Sequence, residues 1–342
     1  MLELLVISEL NLVCFKLCYL NMLVLLPHYD TFFLLQYDFR ERKRVESKSV
    51  ERKRKRGESE AADSTKFNIS ARISLKEVHH FIGLLEPRHM LKLDEGGIGH
   101  IRKFTIKSNI NRRLMCFLMY NIDPTSMTLD LGDGQKVLKI NAAAMEKLFG
   151  LPRGNLSPPR PSDNMHDKAL MDLKAELGFS RQKQVETKDL RNLLAQLVKD
   201  PKNDDLALKI IGIILCNKFI CPGLNIRIGR EAPMVENFDI TKLKQYDLCQ
   251  LLIDELRKAV IAWQKSPQSV SAGIPGCALA PLLMYLDCID HRKLNPMDKR
   301  IPRALYMNES NLVALSELDI VTKGNNRPDS WIFGKLPVSV LF

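Results

Sequence analysis

A succession of helix-length amphipathic segments, separated by Gly and Pro, most constrains what this chain can fold into. Residues 74–86 begin at Ser74, a candidate cap, and carry apolar residues at helical spacing: Leu75, Val78, Ile82 and Leu85. Further helix-length segments are predicted at 106–122, 141–149, 162–178, 187–201, 205–223, 243–265, 277–294 and 308–324. The sequence therefore predicts a mainly α protein, with a single multi-helix domain over 66–337.

One stretch of this domain has the alternating pattern of β-strands. In residues 127–140, polar and apolar residues alternate on both sides of Gly132-Asp133-Gly134, which predicts a small β-hairpin element.

Residues 205–223 are apolar nearly all round, which predicts a central buried helix. Asp204 and Asp205 fit the N-terminal end of that helix, where the helix dipole favours carboxylates.

The stretch FGLPRGNLSPPRPSDN, residues 149–164, interrupts the helices with Pro and Gly. Gly150 fits the residue after a helix C-terminus, and Pro152 prevents continuation of that helix. We expect a fixed corner inside one domain rather than a linker. Arg153 and Arg160 lie in it, and a role in binding phosphate or an acidic partner is the alternative to a purely structural one.

Two segments precede the domain. Residues 1–39 are strongly apolar and lack the early positive charge and cleavage pattern of a signal peptide. A membrane anchor is one interpretation, since residues 10–29 are long enough to span a bilayer, and an extension outside the main fold is the other. Residues 40–65 turn charged, with almost no large apolar side chain, which predicts a disordered linker.

The positive charge of the chain is concentrated in this linker. The formal net charge is +11, but residues 40–56 hold ten Lys/Arg against three Glu, a net of +7, which leaves +4 for the rest. Basic clusters of this kind are typical of sites for import receptors or nucleic acid, and a solvated charge run or the flank of a membrane segment is the alternative. The candidate residues are Arg42, Lys43, Arg44, Arg52, Lys53, Arg54, Lys55 and Arg56.

Known catalytic and cofactor motifs are absent from the sequence. No phosphate-binding Gly loop, zinc-protease helix or nucleophile elbow occurs, and the Cys and His spacings do not build a tetrahedral zinc site. The eight cysteines are scattered, which fits reduced core thiols. Cys249 lies in the apolar stripe of a predicted helix, so we expect a packing thiol rather than a nucleophile. No catalytic, cofactor-binding or metal-binding residue is therefore assigned, and no cofactor or small-molecule substrate is expected.

An ordered series of motifs resembles the plant mobile domain, a transposon-derived family often labelled aminotransferase-like. The motifs are LDLGDGQKVLKINAAAMEKLFGLPRG, DLCQLLIDEL, PLLMYLDCIDHRKL, MDKRIPRA and SWIFGKLP, and the likeness covers about 75–337. The resemblance implies a mostly helical domain with a small β element in mobile elements or domesticated nuclear proteins, and in grasses this family is also found upstream of Ulp1-type protease domains. It implies no catalytic residues, because none is established for the family.

Three hypotheses follow for the function. The first is a non-enzymatic nuclear module that binds nuclear proteins, nucleic acid or both, with an import receptor as a further partner. The second is the N-terminal part of a transposon-encoded Ulp1-like cysteine protease polyprotein whose catalytic domain lies outside this sequence. The third is a membrane-tethered protein that uses residues 10–37. A clustered basic face on the domain is a further candidate binding surface, formed by Arg227, Arg230, Lys299, Arg300 and Arg303.

Overall fold

The architecture comes from a computed structural model. It describes residues 70–108, 110–130, 137–160, 168–223, 229, 231–235, 239–265, 273–291, 293–294, 300–323 and 331–338. All of these belong to one compact unit, Phe67–Phe342. The predicted apolar segment 1–39 and the basic segment 40–65 lie outside the described residues.

The fold is mainly α-helical, which confirms the predicted fold class. Its α-helices are α1 Leu75–Ile82, α2 Pro87–Glu95, α3 Arg112–Asn121, α4 Ala142–Phe149, α5 Lys168–Glu176, α6 Thr187–Leu197, α7 Asp204–Leu215, α8 Ala232–Val235, α9 Leu248–Lys265, α10 Leu279–Cys288 and α11 Glu309–Leu318. Short 3₁₀ turns occupy Gly99–Lys103, Pro201–Asn203, Ile240–Gln245 and Arg303–Leu305, and a π-helical turn occupies Cys216–Ile220. Within the described ranges, no helix is both long and apolar enough to cross a membrane.

The described residues form three small sheets beside the helices. β1 (Ser70–Ala71) pairs in parallel with β5 (Gly273–Ile274), and β6 (Ile320–Thr322) pairs antiparallel with β7 (Ile332–Phe333). The third sheet has the antiparallel order β2 (Ile122–Asp123), β3 (Thr128–Asp130), β4 (Val137–Lys139). Leu129 of β3 faces Leu138 of β4, and both are buried. This pairing of β3 with β4 confirms the predicted hairpin. The turn of the hairpin, residues 131–136, lies outside the described residues.

Local sequence signals account for most helix ends. The Ser74 hydroxyl accepts a hydrogen bond from the Glu77 backbone N–H and caps α1 as predicted. The Asn111 side chain caps α3, which therefore begins several residues later than the periodicity at 106–122 indicates. The helix expected from 162 begins at Lys168 in the described residues and ends before Gly178, which has a φ of +73°.

Helix α7 lies at the centre of one group of helices. Eight of its residues are buried, including Ile210, Ile213 and Ile214, and it packs against α1, α6 and α8. A second group consists of α9 and α10, which both pack against α3 and α4. The π-helical turn Cys216–Ile220 contacts both α1 and α9 and so joins the two groups. The predicted central buried helix is confirmed.

Candidate binding cavity

The corner after α4 is fixed by local geometry and by a distant segment. Gly150 adopts φ +67° and ψ +22°, the left-handed conformation that ends a helix, and its N–H donates to the Glu146 carbonyl at 2.7 Å. The chain beyond it runs against residues 245–248. Gly154 N–H donates to Tyr246 O at 3.0 Å, and Leu248 N–H donates to Pro152 O at 3.1 Å.

Two further backbone hydrogen bonds complete this attachment. Leu156 N–H donates to Gln245 O, and Asp247 N–H donates to Leu156 O, each at 2.9 Å. On the other side of the corner, the His100 ring hydrogen-bonds the Phe149 carbonyl at 2.7 Å. Because four inter-segment backbone bonds hold residues 152–156, this segment is structurally a fixed corner.

Phenylalanine rings connect the corner to the π-helical turn. The rings of Phe149 and Phe219 meet edge to face with centroids 5.0 Å apart, and Phe104 stands 6.4 Å from Phe219. All three side chains are fully buried. Edge-to-face pairs are favoured beyond the area they bury, so this cluster sets the position of the corner relative to α7.

A cavity of about 400 Å³ lies beside the corner. Its walls come from four separate parts of the chain: the turn after α2, the corner, the C-terminal end of α7 with the π-helical turn that follows it, and the segment from α8 to the start of α9. The lining is mostly aliphatic and includes Ile98, Leu151, Pro158, Leu215, Met234 and Leu243. A mostly apolar cavity of this size with few polar groups is typical of a ligand site.

Among the described residues that line the cavity, Asp239 carries a charge. Its Oδ1 accepts hydrogen bonds from the Thr241 backbone N–H at 3.0 Å and the Thr241 hydroxyl at 2.7 Å. Its Oδ2 lies 3.1 Å from Lys242 Nζ, in a pair in which the lysine side chain is 61% exposed. The hydrogen bonds from Thr241 lower the pKa of Asp239 below its usual range, so the carboxylate is ionised at neutral pH.

A buried polar network ties two walls of the cavity together. Asn217, in the π-helical turn, donates from Nδ2 to both carboxylate oxygens of Glu231, at 3.4 and 3.3 Å. Gly229 N–H also donates to this carboxylate, at 3.2 Å. Glu231 directly precedes α8, which supplies Pro233 and Met234 to the lining. Burial raises the pKa of Glu231, and burial lowers the pKa of the neighbouring Lys218.

The described arginine candidates are engaged in intramolecular contacts. Arg153 pairs with Glu146 at 3.1 Å, and Arg160 pairs with Asp254 at 2.6 Å. The Arg300 guanidinium stacks over the Tyr306 ring, 4.1 Å from its centroid. Arg227, Arg230, Lys299 and the basic residues at 42–56 lie outside the described residues.

Arg303 requires a correction. Its charge predicted a place on a clustered basic face of the domain, but its side chain is only 9% exposed. Its Nε and Nη2 donate to the two carboxylate oxygens of Asp287, at 2.9 and 2.6 Å. A buried bidentate pair of this kind orients packed elements, so Arg303 does not present a surface cation.

The cysteine chemistry follows from burial. Cys249 is fully buried, its Sγ–H donates to the Leu151 carbonyl at 3.2 Å, and burial raises its pKa to about 12. The remaining described cysteines are also buried. No group of three His, Cys, Asp or Glu in the described ranges is arranged to hold a metal ion.

The predicted helix end at Asp204-Asp205 is confirmed, and Asp204 has partners that the sequence did not reveal. These residues form the first turn of α7. Asp204 accepts hydrogen bonds from Arg88 Nε at 3.0 Å and is 2.9 Å from Nε2 of the fully buried His89. Burial acts to raise the pKa of Asp204, but the hydrogen bonds and charges of Arg88 and His89 outweigh it and lower the pKa.

Sequence reasoning did not identify Asp239, Glu231 or Asn217 as site residues. The Asp239-Ile240-Thr241 string carries a weak signal, because an Asp two residues before a Thr is a common turn cap. Nothing local marks Glu231 or Asn217, which meet only through the fold.

These observations define a mainly helical domain with an apolar cavity beside a fixed proline-rich corner. The chain belongs to the family described as Domain of unknown function (DUF8566), which matches residues 71–282. The matched range contains the complete cavity lining. No curated protein and no solved structure matches this chain.

Proposed function

We propose that this chain is a non-enzymatic nuclear module of a mobile element, or derived from one, that acts through binding. The resemblance to the plant mobile domain supports its origin, and the basic clusters at 42–44 and 52–56 support nuclear import. The apolar cavity beside the corner is the observation that carries a binding role for the folded domain. The folded domain and the basic segment then have separate binding tasks.

The charge distribution supports this separation. Phosphate binding requires cations that are available to displace counterions from the nucleic acid. Arg153, Arg160 and Arg303 are each paired with a carboxylate, so a phosphate would have to compete with an existing partner. Residues 40–56 carry a net of +7 within seventeen residues. We therefore assign contact with nucleic acid and import receptors to the basic segment.

Localisation of the tagged full chain tests the nuclear assignment. Replacing all five residues of 52–56 with Gln removes a compact basic cluster, and we expect nuclear accumulation to fall to the level of the tag alone. A matched control replaces five exposed lysines of the domain with Gln: Lys76, Lys147, Lys188, Lys199 and Lys244. The control should stay nuclear. Unchanged accumulation of the 52–56 variant would contradict the assignment.

A further inference from the structure

The cavity is large enough to hold a small molecule. This cavity measures about 400 Å³, within the range of small-molecule sites. Its walls are held by the corner's backbone bonds to 245–248 and by the Asn217–Glu231 hydrogen bonds. The cavity is thus preformed, which lowers the cost of binding.

The lining sets the polarity of the ligand. Ile98, Leu151, Leu215 and Leu243 offer no hydrogen bond, so a ligand with many polar groups would lose its hydration without replacement. The size and lining together favour a small, mostly apolar molecule over an extended polymer. The Tyr246 ring, also in the lining, adds an aromatic surface.

Asp239 sets the charge of the ligand. Its Oδ1 accepts hydrogen bonds from Thr241. Among the described residues, Oδ2 pairs with Lys242, whose side chain is exposed. An exposed ion pair contributes little free energy, so a ligand amine or N–H donor can replace Lys242 at Oδ2. A ligand anion would instead meet the ionised Asp239 carboxylate. Because this side chain is 41% exposed, solvent partly screens the repulsion, which still disfavours the anion relative to a neutral ligand of the same rings.

We propose that the cavity binds a small apolar molecule that is neutral or cationic, and that Asp239 excludes anions of the same shape. This inference rests on the proposed binding role of the domain. It adds the chemical class of the ligand, an aromatic or aliphatic body with an amine or amide donor.

Two fluorescent probes of the same shape test the charge selectivity. N-phenylnaphthylamine is neutral and has one N–H, whereas anilinonaphthalene sulfonate has the same rings with an added negative charge. With the full chain at physiological salt, we expect the neutral probe to bind at least about tenfold more tightly. The net charge of +11 attracts the anionic probe to any non-specific site. Tighter binding of the neutral probe would therefore not be explained by the net charge of the chain.

Two variants locate the effect. Asp239→Asn should bring the two affinities within about threefold, because it removes the repelling charge. The control is Asp290→Asn, which removes an exposed carboxylate outside the lining and should leave the ratio of the affinities unchanged. Met234→Trp should reduce binding of both probes by filling the cavity. Circular dichroism and urea denaturation verify that each variant is folded.

The outcomes separate the inference from the proposed function. Equal affinities for the two probes, unaffected by Asp239→Asn but reduced by Met234→Trp, would overturn the charge selectivity and leave cavity binding intact. Binding of neither probe, or binding that a folded Met234→Trp variant leaves unchanged, would overturn both the ligand class and the binding role of the cavity.

Discussion

The substitution Gly150→Ala tests how rigidly the corner is held. Gly150 has φ +67°, and the left-handed conformation costs a non-Gly residue about 1–2 kcal/mol. A Cβ at this position would lie 2.4 Å from Pro302 Cγ and 2.8 Å from His100 Nε2. Relieving such an overlap costs about 1–3 kcal/mol in a packed region. We therefore expect a loss of roughly 2–5 kcal/mol in the free energy of unfolding.

Gly178 provides a matched control for the backbone term. It has a similar φ of +73°, but a Cβ there would meet no atom within 4 Å. Gly178→Ala should therefore cost about 1–2 kcal/mol, the conformational term alone. The difference between the two variants isolates the packing of the corner against Pro302 and His100.

Urea denaturation of the full chain measures both variants against the wild type. We expect lower midpoints for both, with a clearly larger decrease for Gly150→Ala and unchanged slopes. Equal decreases would refute the argument, because they would mean that the corner moves aside freely to accommodate a methyl group.

Three further predictions concern buried groups. Cys249 should resist alkylation in the folded chain at neutral pH and react only on unfolding, since burial raises its pKa to about 12; rapid modification located at Cys249 by peptide mapping would contradict this. Burial raises the folded-state pKa of Glu231, so its stabilising contribution is complete below the unfolded value near 4.5 and declines as pH rises through the folded value. As pH rises from about 4.5, the free energy of unfolding of the wild type should therefore fall relative to that of Glu231→Gln, measured by urea denaturation. Unfolding free energies of the two proteins that change in parallel with pH would argue against this. Arg303→Met leaves the buried Asp287 without its bidentate partner and should cost about 3–5 kcal/mol, which thermal denaturation can measure; a variant as stable as the wild type would exclude a structural role.

Local signals in the sequence predicted the helices well. Ser74 caps the start of α1, and Gly150 ends α4 in the left-handed conformation. Both features depend on residues within one helical turn, so the local sequence predicts them without knowledge of the fold. The apolar run of α7 likewise indicated its central position. The sequence did not predict helix α2. Pro87 occupies its first turn, but its buried side chains are only His89 and Leu93, so it shows little apolar periodicity.

Long-range contacts could not be predicted from these patterns. The partner of Arg88 is Asp204, 116 residues away, and the corner at 152–156 is held by residues 245–248. The cavity combines four segments whose individual patterns indicate only ordinary core packing. Arg303 was misjudged for the same reason, since its charge indicated exposure and only the fold brings Asp287 within 2.6 Å.

Binding of DNA by the full chain most directly tests the division between the basic segment and the folded domain. Affinity for duplex DNA falls with salt in proportion to the number of phosphates neutralised, with a logarithmic slope of about −0.9 per contact. We predict a steep slope for the wild type. Replacing the ten Lys/Arg of residues 40–56 with Gln should remove most of the affinity at about 0.1 M salt, where the Debye length is roughly 10 Å, and flatten the slope. A variant that binds as tightly as the wild type, with an equally steep slope, would contradict the account and place the phosphate contacts on the folded domain.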